Sequence, residues 1–236
     1  HLVKNEYTAL YAGGYVRDKL LGREQESDID IATNATPSAI ADLFSQTIPV
    51  GEQFGVMIVV HRGVPFEVAT FRSDIGIRDG RHPEHIVFTD AQHDAQRRDF
   101  TINGMLYDPM TEEVIDYVEG IEDLKNRVIR TIGNPKDRFN EDKLRMMRAV
   151  RFAARFRFRL DEDTIKAINE LAPSISQVSA ERVRDEVVKI ISQENPGLGL
   201  RLLREAGLLK HILPEIDKMN GVPQPPEFHP EGDVFT

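Results

Sequence analysis

Asp28 and Asp30 stand one residue apart in Asp28-Ile29-Asp30-Ile31-Ala32, a run that reads as a β-strand. Alternate residues of a strand project from one face, so the two carboxylates are expected side by side. Like charges that close repel unless a cation joins them, and beside phosphates the usual cation is Mg²⁺. Two such ions could activate an attacking hydroxyl and stabilise a leaving pyrophosphate. Upstream lies Gly13-Gly14-Tyr15-Val16-Arg17-Asp18. Paired glycines let backbone N–H groups approach a triphosphate closely, with Arg17 nearby as a charge clamp. Taken singly, Gly-Gly is also a tight turn, and Asp-x-Asp is also a solvated strand end. Glu67 reads either as a third metal-binding carboxylate or as an ordinary exposed strand residue.

Two further segments carry clustered charge. In Arg97-Arg98-Asp99-Phe100-Thr101-Ile102-Asn103-Gly104, adjacent arginines suit a phosphate or a base, since guanidinium forks bind such groups bidentately. An Arg-Arg pair alone is commonplace on surfaces. The run Glu141-Asp142-Lys143-Leu144-Arg145-Met146-Met147-Arg148-Ala149-Val150-Arg151-Phe152 reads as a helix. At roughly 100° per residue, Arg145, Arg148 and Arg151 sweep one side, with Asp142 continuing the arc. Met146, Met147, Val150, Ala153 and Ala154 take the other side, so the helix can pack while presenting its arginines. A salt-bridge ladder is the alternative, but three arginines and one acid make a poor one, which favours a ligand. Asp142 and Arg145 together could accept and donate hydrogen bonds to a base edge.

These groups need a scaffold. Val56–Val60 and Phe66–Phe71 read as two strands joined through the turn formers His61–Pro65. Thr36 as N-cap and Pro37 at the first position open a helix running to Phe44. Glu113–Tyr117 is a candidate short last strand. The first part is therefore expected to be a small mixed sheet with helices, residues 1–132. After Gly133-Asn134-Pro135 the pattern turns helical from Glu141, broken at Pro173, at Asn195-Pro196-Gly197 and at Gly207, giving a helical domain over 133–220. Residues 221–236 read as a proline-rich connector and the start of a further unit.

The chain has 236 residues, enough for one large domain or two small ones, with 40% hydrophobic and 29% charged residues, as in folded water-exposed proteins. No apolar stretch approaches the roughly 20 residues that span a bilayer, so no membrane partner is expected. With no cysteine, disulfide-linked partners and thiolate metal sites are excluded, and a reducing cytoplasm is the expected compartment. A net charge of −9 argues at first against nucleic acid. Between Lys136 and Arg159, however, nine Lys or Arg face three acids. Such a surplus is the footprint of a phosphate-binding surface or of a solvated basic helix, and charge alone does not choose.

Taken in order, Gly-Gly-x-Val-Arg-Asp, Asp-x-Asp, Arg-Arg-Asp-Phe-Thr-x-Asn and Glu-Asp-x-x-Arg-x-x-Arg-x-x-Arg-Phe resemble the class II tRNA nucleotidyltransferase and bacterial poly(A) polymerase family, over about residues 10 to 220. The resemblance implies an α+β fold: a polymerase-β-like nucleotidyltransferase head followed by an all-helical neck and body. It implies Asp28 and Asp30 as catalytic metal ligands, and triphosphate contacts from Gly13, Gly14, Arg17 and Arg98. Asp142 and Arg145 would pair with the incoming base, and Arg148 and Arg151 would hold phosphates. Arg155 and Arg157, next in the basic run, are expected to meet RNA. The implied substrates are ATP, CTP and a tRNA 3′ end, with two Mg²⁺ ions. Asp116-Tyr117-Val118-Glu119-Gly120 resembles the family's hinge between head and neck.

Gly104 stands where the family often has alanine, and Thr236 falls short of a typical body and tail. His229-Pro230-Glu231-Gly232-Asp233 is similar to the opening of an HD-type phosphohydrolase domain. The polar stretch Arg72–Pro83 matches the family's flexible loop, which favours CCA or terminal A addition over addition of cytidines alone. Poly(A) synthesis, transfer to a small molecule and a binding-only module are the rival readings. Paired carboxylates argue against a mere binder, and the basic helical half favours RNA over a small molecule.

Overall fold

A computed structural model describes residues 1–23, 28–77, 83–225 and 227. It divides into two compact units, His1–Asn126 and Arg127–Thr236.

In the first unit β1 (Ala9–Ala12) runs into α1 (Gly14–Leu20), followed by β2 (Asp30–Thr33) and α2 (Pro37–Leu43). The Thr36 side chain accepts the Ala39 N–H and Pro37 occupies the first turn, as the sequence led one to expect. Next come β3 (Thr47–Gly51), β4 (Val56–His61) and β5 (Val64–Thr70). The β4–β5 turn has Arg62 at φ 52° and Gly63 at φ 80°, the paired left-handed geometry that two-residue hairpins require. After β6 (Arg72–Ile77) and β7 (Pro83–Phe88) follow α3 (Ala91–Gln96), β8 (Leu106–Asp108), β9 (Glu113–Ile115) and α4 (Gly120–Lys125).

Seven strands form one sheet in the order β3-β4-β5-β2-β1-β8-β9, in which only β2 and β5 pair in parallel. Both faces are apolar. Leu10, Ala12, Ala32, Phe71 and Leu106 form one core cluster. Met57, Val59 and Val68 join Leu2, Ala35 and Ile40 of α2 in another. Because β1 and β2 are in register, Ala12, the residue before Gly13, faces Asp30, and Asp30 faces Glu67 across β2–β5. The core thus aligns the glycine turn and two carboxylates.

Arg72–Pro83 was expected to be a flexible loop. Instead β6 and β7 pair as a separate antiparallel hairpin, and only its tip, 78–82, lies outside the described residues. Its polar composition hid these strands, which are tied to α3 by the Arg72 N–H to Asp94 and to the residue after it by the Arg97–Asp74 ion pair. The expected strand through Asp28 begins only at Asp30.

The second unit opens with β10 (Val128–Ile129), then α5 (Pro135–Glu141), α6 (Leu144–Phe156), β11 (Arg159–Leu160), α7 (Glu162–Leu171), α8 (Ala180–Ile191), α9 (Pro196–Glu205), α10 (Leu209–Ile212) and α11 (Pro214–Asp217). β10 pairs in parallel with β11. That pairing carries residues 127–132 into the helical half and sets the division at Asn126 rather than at 132. Helix α6 packs on α8 and α9, and its Met146, Met147, Ala149, Val150 and Ala153 are buried. Contrary to the expected arc, Asp142 is not on the arginine helix. It caps α5 in an extended conformation (φ −147°, ψ 106°), and the helix restarts at Leu144, whose N–H its carboxylate accepts. The expected onset of a further unit at 229–236 lies outside the described residues.

The Asp116 carboxylate accepts the N–H groups of Val118, Gly120 and Ile121, fixing the turn into α4. The hinge-like segment therefore lies inside the first unit, as a clamped turn. A Cβ on Gly120 would sit 2.3 Å from the Thr101 carbonyl oxygen and 2.7 Å from Met105 Cγ. Gly120→Ala is accordingly expected to destabilise the protein by about 1–3 kcal/mol, measured by chemical denaturation, while Gly63→Ala meets no atom and carries only its backbone cost.

Candidate active site

Asp30 opens β2 with Glu67 beside it in register and Asp28 two residues upstream. Its pKa is raised from 3.8 to about 6, first by burial, then by the charges of Glu67 and Asp28, while Arg98 pulls the other way. The side chain keeps access to solvent, so it is hemmed in rather than sealed. This is a place where negative charge is crowded and a cation relieves it. All donors are oxygens, which suits a hard ion. Among the described residues, however, no three acidic or imidazole groups are gathered closely enough to ligate an ion. Glu67 raises the negative charge around Asp30. Mg²⁺ commonly takes only one or two carboxylates and completes its shell with water and substrate phosphates.

Beside this group Gly13 turns the chain from β1 into α1 with φ 66° and ψ −128°. A Cβ there would lie 3.1 Å from Arg98 Nη1, and one on Gly14 would lie 3.4 Å from Arg17 Nη2. The two glycines thus let two guanidinium groups close on the backbone. Arg98 donates from Nη2 to Asp94 Oδ2 at 3.0 Å, and its Nε is buried without a hydrogen-bond partner among the described residues.

Arg17 departs from expectation. Instead of an open clamp it is 4% exposed. Its Nε and Nη2 donate to the two oxygens of buried Asp18, both at 2.8 Å, and its Nη1 donates to Asn103 Oδ1 at 2.6 Å. Asn103 in turn donates to Asp99 Oδ1 at 3.1 Å. A buried Asp18 carboxylate needs a counter-charge, and Arg17 supplies it. The Arg17–Asn103 hydrogen bond stitches the glycine segment to the Arg-Arg-Asp segment. Asp18, Asp99 and Asn103 were quoted within the motifs without a role, and nothing in their spacing revealed this one.

In the helical unit Asp142 Oδ2 accepts from Arg182 Nη2 at 2.8 Å. Arg145 Nη1 donates to Glu141 Oε2 at 2.5 Å, and Arg151 Nε donates to Glu186 Oε1 at 2.5 Å. Glu186 is 1% exposed on α8. Intramolecular ion pairs thus occupy part of the arginine face, with acids from α5 and α8 that the reading of a single helix left out. The Arg148 and Arg151 guanidinium groups lie 5.5 and 4.3 Å from the Phe152 ring centroid, and Arg155 lies 5.2 Å from that of Phe156. Arg157 closes α6 in left-handed backbone (φ 55°) and is exposed.

Residues 9–130 match the family described as Poly A polymerase head domain, and residues 157–220 match Probable RNA and SrmB- binding site of polymerase A. The CCA-adding enzyme of Limosilactobacillus reuteri is 42% identical over 206 residues, 87% of this chain and 51% of its own length. The chain belongs to the CCA-adding enzyme and poly(A) polymerase family. Another member, the CCA-adding enzyme of a Geobacillus strain, is 43% identical over 93% of this chain and 54% of its own. Among solved members, the Bacillus stearothermophilus CCA-adding enzyme in complex with CTP superposes with a TM-score of 0.84 at 39% identity, covering 92% of this chain and 53% of that one. The Thermotoga maritima CCA-adding enzyme complexed with tRNA gives 0.73 at 26% identity, covering 92% and 52%. The chain spans about half the length of these relatives. The family supports the α+β head expected from the motifs.

Crowding at Asp30 has a pH signature. A carboxylic acid held at about 6 in the fold and 3.8 outside it contributes stability below pH 3.8 that is lost as pH rises through 6. Asp30→Asn should therefore raise the Tm of the metal-free protein at pH 7.5 and leave it nearly unchanged at pH 3.5. Added Mg²⁺ should raise the Tm of the unaltered protein at pH 7.5 and that of the variant much less. Equal Tm shifts at the two pH values would show that neither burial nor the neighbouring carboxylates raise the Asp30 pKa in the fold.

Proposed function

We propose that this chain is the catalytic part of a template-independent RNA 3′-end nucleotidyltransferase that adds CMP and AMP from CTP and ATP to tRNA. The observation that carries this reading is the crowding of Asp30 by Glu67 and Asp28 next to Arg98 and the Gly13 turn: a cation and an anion are both called for within one strand end. A triphosphate chelated to Mg²⁺ satisfies both. The names of the relatives, CCA-adding enzymes solved with CTP and with tRNA, supply the substrates.

In this reading Asp28 and Asp30 hold the metal. Mg²⁺, when bound, would supply positive charge to the attacking 3′-oxygen and to the leaving pyrophosphate. Arg98 and the backbone at Gly13 and Gly14 bind and orient the triphosphate, so that the RNA 3′-hydroxyl attacks the α-phosphorus in line. One P–O bond forms to the RNA, the bond to the β-phosphate breaks, and the proton of the hydroxyl leaves to solvent. Positioning and charge carry the rate, with no covalent enzyme intermediate. Arg17 supports the turn from within. For the helical unit we propose base selection by Asp142 and Arg145, phosphate contacts by Arg148 and Arg151, and RNA contacts by Arg155 and Arg157. A cytoplasmic location goes with the substrate. No helix among the described residues is long and apolar enough to cross a membrane.

Full-length protein with Mg²⁺ should be offered tRNAs ending before the first C, after CC and after CCA, with labelled CTP or ATP. Addition of two C residues and then one A is the expected result, and Asp28→Ala or Asp30→Ala should reduce it by at least about 10³-fold with the fold intact. Long A tracts would make the protein a poly(A) polymerase, and wild-type rates in either variant would remove the carboxylates from the mechanism.

A further inference from the structure

Asp94, on α3, is buried (1% exposed) and is not among the residues that the motifs single out. Its Oδ2 accepts from Arg98 Nη2 at 3.0 Å, and its Oδ1 accepts from Arg97 Nε at 2.9 Å and from the Arg72 backbone N–H at 3.3 Å. Burial alone would raise its pKa, but the two guanidinium groups outweigh it and hold the carboxyl below its ordinary range. Asp94 is therefore ionised at working pH, as a fixed charge at the foot of Arg98.

The contacts continue outward. Arg97 reaches Asp74 at 3.5 Å, and Asp74 accepts from Arg72 Nε at 3.1 Å. Arg72 Nη1 also donates to the Phe54 carbonyl. Asp74 and Arg72 belong to β6, so this ionic chain begins at the base of the β6–β7 hairpin and ends at Arg98. It contains three guanidinium groups, of Arg72, Arg97 and Arg98, and two carboxylates, of Asp74 and Asp94, leaving one positive charge in surplus. At the Arg98 end, Nη1 lies against Gly13 and the buried Nε has no partner among the described residues. The charge there is felt by Asp30. An arginine held on Nη2, with Nη1 turned towards the Gly13 turn beside a carboxylate cluster, is set up to receive an anion.

We infer that Asp94 is the positioning residue of an oligophosphate site at Arg98, and that the Arg72–Asp74–Arg97–Asp94 chain ties this site to the base of the β6–β7 hairpin. The inference rests on the reading of Arg98 as a triphosphate contact. It adds that the guanidinium is useful only while Asp94 fixes its fork. Because the site holds phosphates and no base, loss of Asp94 weakens CTP and ATP alike.

Binding of inorganic tripolyphosphate with Mg²⁺ to the full-length protein, followed by calorimetry, tests the site without any assumption about the RNA acceptor. Asp94→Asn, which keeps the shape and removes the charge, is expected to weaken it tenfold or more. It should raise KM for CTP and for ATP by similar factors while kcat falls less than threefold, and Asp94→Glu should recover most of the loss. In an Arg98→Ala background Asp94→Asn should add nothing further, since both act through one guanidinium. A merely structural aspartate would lower Tm and the active fraction, leave KM unchanged and add its effect to that of Arg98→Ala. That pattern would overturn the inference while leaving tRNA extension by the unaltered protein untouched. Conversely, failure of tRNA extension alongside intact tripolyphosphate binding would sink the proposed function and not this site. Should Asp94→Asn fail to fold, the more accessible Asp74→Asn reads the same chain: a two- to fivefold loss of tripolyphosphate affinity supports the tie to the hairpin, and no change refutes it.

Discussion

Two carboxylates and a third acidic neighbour at the end of β2 repel one another, and much of the first unit follows from having to keep them there. The register of β1, β2 and β5 is set by apolar residues on both sheet faces, including Leu10, Ala12, Ala32, Val68 and Met57. A slip of one residue would turn every one of them to the wrong face, so the core enforces an arrangement that charge opposes. Arg98 lends its charge to Asp30, while Arg17 is spent on Asp18. Arg17 is drawn inside by Asp18, and Arg98 is left at the rim, anchored from behind. The same residue type has opposite fates in one unit because one arginine has an internal acid on both prongs of its fork, and the other on a single nitrogen.

The helical unit solves a different problem, that of keeping long cationic side chains in defined places. Glu141 holds Arg145, Glu186 holds Arg151 and Arg182 holds Asp142. Three ion pairs thus fix Arg145, Arg151 and Asp142, which the motif resemblance implies as nucleotide contacts. Partly buried pairs of this kind contribute less to stability than to geometry, since desolvation offsets most of the attraction.

How much of this was legible depends on where each feature draws its stability. The Arg62-Gly63 hairpin and the Thr36-Pro37 helix start were readable because local backbone chemistry decides them. The α+β class and the family were readable because several weak motifs stood in a fixed order. The break at Asp142 was not. Glu-Asp-Lys-Leu-Arg has no helix breaker, and the side-chain contacts of the extended aspartate include Arg182, 40 positions away. The β6–β7 hairpin was hidden for a similar reason: its anchors, Asp94 on α3 and Arg97 at its C-terminal end, are beyond the reach of any local pattern. Arg17 looked like a surface clamp because adjacency to Asp18 says nothing about burial.

The interruption between α5 and α6 also changes what the arginine face can tolerate. In one continuous helix, an added or lost residue before Arg145 would rotate every later side chain by roughly 100° and scatter the arginines around the axis. Since the helix restarts at Leu144, with Asp142 and Lys143 outside it, the angular phase of α6 is set by its own packing on α8 and α9 and not inherited from α5. Length changes upstream are absorbed at the joint, and the arginines keep their bearing.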